Sequence, residues 1–237
     1  MTETPSFGSV SKVVMDKAWY HLDPNTGAFN FDVSVSKMAE ALQLPMQSTK
    51  EAIGSAFTPE CLSQVEHQPP VPLLKALRGA AIVPHIWTVG DAEWQRYKYI
   101  KTDAAKYVPE DHYHCYDANK LIELERLIDT LTISNKQKRV IVVDDKWENI
   151  EGVRKIAIEL KKKGIEMIDY HMNLNDPKAD ATAFFSWVLG QKSDAQTIQK
   201  ELEVILDFDG VVANTDKVLK GGVVEKLLDL VNKLKQV

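Results

Sequence analysis

Two aspartates close an apolar run near the C-terminal part of this 237-residue chain. Residues 204–206 are Val, Ile and Leu, which favour a strand; Asp207 and Asp209 follow, and Gly210 then permits a sharp turn. Because alternate residues of a strand share a face, both carboxylates would point the same way. At about 4 Å, two like charges repel by about 4 kcal/mol at an effective dielectric of about 20. The pair therefore indicates a bound cation, and ligands that are all oxygen favour Mg²⁺.

Composition and charge exclude several classes of protein. A formal net charge of -5 offers no basic surface for nucleic acid, and no apolar run approaches the length of about 20 residues that spans a membrane. Cys61 and Cys115 form no disulfide pattern, so we expect a reducing, cytoplasmic location. His112, His114 and Cys115 cluster in sequence, but strand alternation directs the thiol to the face opposite the two imidazoles, and a zinc site is not expected. A homodimer is left open.

The first 70 residues are predicted to form a hairpin followed by a small, mainly helical cap. Residues 11–33 indicate strands around the turn Asp23-Pro-Asn-Thr-Gly27. Residues 34–66 indicate three short helices with too few apolar residues for a core of their own. The prolines in Gln68-Pro-Pro-Val-Pro72 favour an extended link. We therefore predict a hairpin and cap over residues 1–70 and a separate core over 71–237.

The predicted core alternates strands with amphipathic helices. Apolar runs predict strands at 86–89, 112–116, 140–143, 165–168 and 203–208. This alternation is typical of an α/β fold with a Rossmann-like parallel sheet and helices on both faces. Ligands of such sheets bind beyond the carboxyl ends of the strands. The polar residues expected there are Thr88, Lys120, Asp144, Asp145, Asp207 and Asp209.

The run that ends in Asp207-Phe-Asp209-Gly-Val resembles the first motif of the haloacid dehalogenase-like (HAD-like) phosphohydrolases. The resemblance implies that Asp207 is the nucleophile and Asp209 the general acid/base. Val-Val-Asp144-Asp145 is similar to the fourth motif, whose acidic pair helps to bind magnesium. The implied ligands of Mg²⁺ are Asp207, one or both of Asp144 and Asp145, and the backbone carbonyl of Asp209.

Two further segments extend this resemblance. Ile-Trp-Thr88-Val is similar to the second motif, whose hydroxyl holds the phosphoryl group, and Asn119-Lys120 is similar to the third, whose lysine neutralises that group. Lys98 competes with Lys120 for this assignment. The resemblance implies a Mg²⁺-dependent phosphatase that hydrolyses a small phosphate monoester, a phosphorylated metabolite, through an aspartyl-phosphate intermediate.

The motifs occur in the order two, three, four and one, as a circular permutation would place them. Residues 12–18, which include Asp16, resemble a degraded copy of the first motif with alanine in place of the acid/base. We predict that residues 203–208 fill the central position of the sheet, between the strands ending at Thr88 and Asp144. If the Asp16 segment filled it instead, the chain would be an inactive binding or regulatory protein whose C-terminal strand pairs with another chain.

Overall fold

Five strands and ten helices make up the computed structural model, which describes residues 4–19, 30–64, 70–117, 119–131, 138–173, 177–197, 201–209, 211–212, 218–234 and 236. The strands are β1 (His85–Val89), β2 (Tyr113–Tyr116), β3 (Lys138–Asp144), β4 (Glu166–His171) and β5 (Glu201–Asp207). The helices are α1 (Phe7–Trp19), α2 (Phe31–Leu42), α3 (Met46–Ser55), α4 (Pro59–Gln64), α5 (Pro70–Gly79), α6 (Ala92–Lys101), α7 (Lys120–Leu131), α8 (Trp147–Lys162), α9 (Pro177–Thr197) and α10 (Val224–Leu234). Among these residues no helix has the length and apolar character needed to cross a membrane.

The strands form one parallel sheet in the order β2-β1-β5-β3-β4. Trp87 of β1 is opposite Asp207, and Val143 of β3 is opposite Leu206. The prediction that the late apolar strand fills the central position is confirmed. The segment around Asp16 does not fill it, because it lies in α1. The idea that β5 pairs with another chain is wrong, since both of its edges are already paired within its own sheet.

Helices cover both faces of this sheet, as the α/β prediction required. One face packs against α5 and α9 and includes Val204 and Leu206 of β5; we call it the α5/α9 face. The other packs against α7 and α8 and includes Ile205; we call it the α7/α8 face. All three of these side chains are fully buried. Burial of each contributes about 1.5–3 kcal/mol, and residues 204–206 are apolar on both faces because helices cover both faces there.

The N-terminal hairpin prediction is wrong, because residues 7–19 form α1 and residues 31–42 form α2. Val10 and Val14 are four positions apart and fully buried, so the apolar stripe has helical rather than strand spacing. The Asn30 side chain accepts a hydrogen bond from the Val33 N–H at 3.0 Å and thereby caps α2. The predicted turn at residues 23–27 lies outside the described residues.

The helices that precede the sheet bury their apolar side chains in a core that they share with α10. Helix α10 completes it by packing against α1 and α3. The core includes Val10, Val14, Phe31, Val35, Met38, Ile53 and Phe57 together with Val224 and Leu227 of α10. The extended link predicted for residues 68–72 is also wrong from Pro70 onwards, where α5 begins. Prolines are tolerated there because the first turn of a helix needs no N–H donors.

Three histidines meet near the amino ends of β1 and β2. Nδ1 of buried His85 lies 3.0 Å from Nε2 of His114, and the rings of His85 and His112 stack at 3.9 Å. The second nitrogen of His85 lies 3.5 Å from a Glu203 carboxylate oxygen. In the described part of the chain, no group of three metal-ligating atoms includes these histidines.

Acid should destabilise the protein through this histidine cluster. Burial, followed by the charges of His85 and His112, lowers the pKa of His114 to about 4, whereas an unfolded histidine has a pKa of about 6.5. Between these values the unfolded chain binds protons that the folded chain does not, so stability falls as the pH falls. Urea unfolding at pH 7.5 and pH 5 should show a smaller acid-induced loss for His114→Gln than for the wild type. Equal losses in the two proteins would contradict this assignment.

Candidate active site

The register of the central strands brings two carboxylates to one face of the sheet. Asp207 lies opposite Trp87, and Asp144 and Asp207 each follow immediately after the paired residues Val143 and Leu206. Strand alternation directs all three side chains to the α7/α8 face. Asp207 is 3% exposed and Asp144 fully buried. Two carboxylates buried side by side require positive charge nearby.

Lys120, the first residue of α7, provides that charge. Its Nζ lies 2.7 Å from Oδ1 of Asp207 and 2.8 Å from Oδ2 of Asp144. The ammonium also lies 4.2 Å from the centroid of the Trp87 ring, and the Trp87 indole N–H donates to the Lys120 carbonyl at 3.1 Å. Burial alone would lower the pKa of Lys120, but Asp207 and Asp144 together raise it. The lysine is therefore held charged between the two carboxylates.

Close packing of α7 on α8 fixes the start of α7, where Lys120 lies. A Cβ added to Gly152 of α8 would lie only 2.2 Å from Cδ1 of Leu121. A side chain at this position would force the Leu121 side chain to move. Gly152 therefore allows Leu121, the neighbour of Lys120, to pack closely on α8.

Both carboxylate oxygens of Asp144 accept hydrogen bonds from protein donors. Besides Lys120, its carboxylate accepts hydrogen bonds from the Lys146 N–H at 2.8 Å and from the Asn149 amide at 2.9 Å. These contacts hold the loop between β3 and α8. Asp144 therefore anchors the site, and this division between Asp144 and Asp145 could not be made from the sequence.

Asp145 has a carboxylate oxygen without a hydrogen-bond partner among the described residues. Its Oδ1 is buried and forms no hydrogen bond with a described residue. Burial, and then the charge of Asp144, raises the pKa of Asp145 to about 6. One ligand oxygen each from Asp144, Asp145 and Asp207 lies within 4.8 Å of the others, so the three could hold a metal ion. A set of carboxylate oxygens with one unsatisfied member fits a hard cation such as Mg²⁺.

Asp207 keeps one oxygen free for chemistry. Both of its described contacts go to Oδ1, from Lys120 and from the Phe208 N–H at 2.7 Å. Oδ2 accepts no hydrogen bond from any described residue. Burial raises the pKa of Asp207, Lys120 opposes this shift, and Asp144 and Asp209 add to it. The charged form of Asp207 is thus disfavoured even with the ammonium of Lys120 beside it.

Asp209 has separate partners on α6. Its Oδ1 lies 2.5 Å from Nζ of Lys98, and its Oδ2 accepts a hydrogen bond from Nε2 of Gln95 at 3.1 Å. Its carboxylate is outside the group of three acidic side chains that could bind a metal. Lys98 therefore pairs with Asp209, whereas Lys120 pairs with Asp207. Sequence analysis did not identify Gln95.

Thr88 lies at the same edge of the sheet as the carboxylates. It is buried and follows Trp87 directly, so its side chain starts on the opposite face from that of Trp87. Its hydroxyl forms no hydrogen bond within the described residues. The structure thus brings Lys120, Asp144, Asp145 and Asp207 together. Asp209 follows in the next turn and contacts Lys98 and Gln95 instead. Thr88 lies at the same edge and has no hydrogen bond to its hydroxyl among the described residues.

No protein-family model matches this chain, and comparisons with curated proteins and with solved structures give no match. The class that fold and site define is an α/β protein with a Rossmann-like parallel sheet and an acidic cluster suited to a metal ion.

Proposed function

We propose that this chain is a Mg²⁺-dependent phosphohydrolase of the HAD-like type that hydrolyses a small phosphate monoester. The observation that carries this proposal is the environment of Asp207. This buried carboxylate ends the central strand of a parallel sheet and contacts the ammonium of Lys120 through one oxygen, while its other oxygen accepts no hydrogen bond from any described residue. Open α/β sheets bind their ligands at this edge.

Asp207 is the nucleophile in this mechanism. Its free oxygen bonds to phosphorus while the bond between phosphorus and the leaving oxygen breaks. Asp209 gives a proton to that oxygen. Lys120 and Thr88 bind the phosphoryl oxygens that do not react. Water then attacks the aspartyl-phosphate, and phosphate leaves.

The work of such a site is to neutralise charge and to hold an in-line geometry. Asp145, Asp207 and the Asp209 carbonyl would hold Mg²⁺, which would offset the negative charge of the phosphoryl oxygens. Lys120 alone would not satisfy every carboxylate of the site, because Oδ1 of Asp145 is buried and has no hydrogen-bond partner among the described residues. This oxygen favours a bound metal ion in addition to the ammonium. Asp144 keeps Lys120 and the loop after β3 in place.

The packing of the helices supports a permuted motif order. Helix α10 follows the central strand β5 and packs against α1 and α3, which precede β1. The strand that bears Asp207 and the strand that bears Thr88 are neighbours in the sheet, although 119 positions separate these two residues in sequence (207 − 88 = 119).

A phosphatase assay with and without Mg²⁺ tests the proposal. An aryl phosphate and a panel of small phosphorylated metabolites should release phosphate in millimolar Mg²⁺, and a chelator should stop the release. No release from any of these esters would instead favour an inactive binding or regulatory protein of the same fold.

Binding of Mg²⁺ should raise thermal stability, because a ligand of the folded state stabilises it by RT ln(1 + [L]/Kd), or about 2.7 kcal/mol at 100 times Kd. Asp145→Asn should largely remove this shift, since it replaces the free carboxylate. Asp16→Asn, a change in an exposed residue of α1, is the matched control and should respond like the wild type. A melting temperature that Mg²⁺ does not change in the wild type would contradict the metal site.

A further inference from the structure

Helix α6 holds both oxygens of Asp209. Lys98 contacts Oδ1 and Gln95 contacts Oδ2, and the two residues are three positions apart on one face of α6. Lys98 is only 1% exposed. Burial of an ammonium is costly unless it is paired, and the carboxyl group of Asp209 is its partner. Both contacts are directed at the group proposed as the general acid/base.

The amide oxygen of Gln95 accepts no hydrogen bond from a described residue. Its Nε2 donates to Asp209 and also to the Val89 carbonyl, at 3.1 and 3.2 Å. Two acceptors on one side fix the orientation of the amide, because a flipped amide would place its oxygen against both. Its Oε1 is then buried and forms no hydrogen bond with a described residue. A buried acceptor normally receives a hydrogen bond, and with no donor among the described residues Oε1 can accept one from a bound water.

The surroundings of this amide keep it in place. Gly90 has a φ of +144°, and a Cβ added there would lie 3.0 Å from Nε2 of Gln95. On another side of α6, Trp94 stacks on Phe31 at 4.2 Å within the core shared by the N-terminal helices and α10. The Lys98 ammonium lies 5.5 Å from the Trp94 ring centroid and 5.3 Å from that of Phe208. The pair is therefore built on a rigid element, as a positioning device must be.

We infer that Lys98 and Gln95 are a positioning pair that fixes Asp209 and orients the water that releases phosphate from Asp207. This inference rests on the proposed function. The water donates one hydrogen to the Asp209 carboxylate and the other to Oε1 of Gln95. Its oxygen bonds to phosphorus as the bond between phosphorus and Asp207 breaks. Asp209 takes one proton, the second stays with the product phosphate, and the Asp207 carboxylate is restored.

The pair should matter for the second half of the reaction. Gln95→Met keeps a side chain of similar length but removes both the acceptor and the N–H that donates to Asp209, which Lys98 still holds. We expect it to slow breakdown of the aspartyl-phosphate by about 10- to 100-fold, while the phosphoenzyme forms at nearly the wild-type rate. Gln95→Asn, which withdraws the amide by one methylene, should show the same defect. Acid quenching of the enzyme with radiolabelled substrate measures both rates and the amount of phosphoenzyme.

A double-mutant cycle tests Lys98. Lys98→Met should lower turnover in the wild-type background and have no further effect in Asp209→Asn, because the lysine acts through that carboxylate. Lys101→Met, on the same helix but exposed, is the control and should change turnover less than twofold.

The outcomes separate the inference from the function beneath it. Accumulation of phosphoenzyme in the Gln95 variants supports the positioning pair. Phosphate release by the wild type together with equal slowing of formation and breakdown in those variants overturns the pair but not the phosphatase. Absence of phosphate release by the wild type overturns both.

Discussion

Asp207→Asn is expected to abolish phosphatase activity and to leave the fold intact. The change removes the attacking carboxylate but nearly preserves the volume of the side chain. Loss of a nucleophile lowers turnover by factors on the order of 10⁴ or more. Asp16→Asn is the control, because Asp16 is an exposed residue of α1, and it should retain full activity. Phosphate release and circular dichroism measure the two properties.

The stability of the Asp207→Asn protein distinguishes a chemical from a structural effect. Burial raises the pKa of Asp207, whereas an unfolded aspartate has a pKa of about 3.9. As the pH rises above that value, the folded state loses stability through this group, although Lys120 offsets part of the loss. The metal-free variant should therefore melt no lower than the wild type at pH 8, and the difference between them should shrink towards pH 4. Loss of activity together with a lower melting temperature would contradict the assignment of Asp207 as nucleophile.

The sequence predicted the carboxylates of the site because they follow strands. The runs before Asp144 and Asp207 have no polar alternation, which indicates strands covered on both faces. The carboxyl ends of the strands in a parallel sheet lie at one edge. The proximity of the residues that follow such runs can therefore be predicted without knowing where their side chains lie. Lys120 was found in the same way, at the helix start after β2.

The partners of these carboxylates could not be predicted in this way. Lys98 and Asp209 are 111 positions apart, and the contact between them depends on how α6 is rotated against the sheet. Helix α6 has no clear apolar stripe that would reveal this rotation, since Gln95 and Lys98 are themselves buried. The sequence also does not show which of Asp144 and Asp145 accepts the hydrogen bond from the Lys146 N–H, because this depends on the conformation of the turn after β3.

The prediction of an N-terminal hairpin was wrong for a different reason. A short apolar segment such as residues 10–15 fits a strand or a buried helix equally well when its partners are unknown. In the structure it packs against α2 and also against α10, which lies more than 200 positions later in the chain. Contacts over such a distance decide the structure of a segment whose local preference is weak.

Lys120→Met should be the most destabilising of the single changes considered. The methionine fills a similar volume but leaves Asp144 and Asp207 buried without their ammonium, and the Lys120 side chain itself is only 15% exposed. Removal of one partner from a buried ion pair costs about 3–5 kcal/mol. Activity should be lost as well, because this lysine is expected to bind a phosphoryl oxygen. Urea unfolding at pH 7.5 measures the loss of stability, and Lys162→Met, at an exposed lysine, is the control.

A second substitution tests whether repulsion between the carboxylates causes this loss. Asp207→Asn in the Lys120→Met background leaves one buried charge where the single variant has two, so the double variant should recover part of the lost stability. Mg²⁺ should also stabilise Lys120→Met more than the wild type, since the cation replaces the missing positive charge. If the two substitutions instead destabilise additively and Mg²⁺ stabilises both proteins equally, Lys120 does not act by neutralising Asp144 and Asp207, and the site has another source of positive charge.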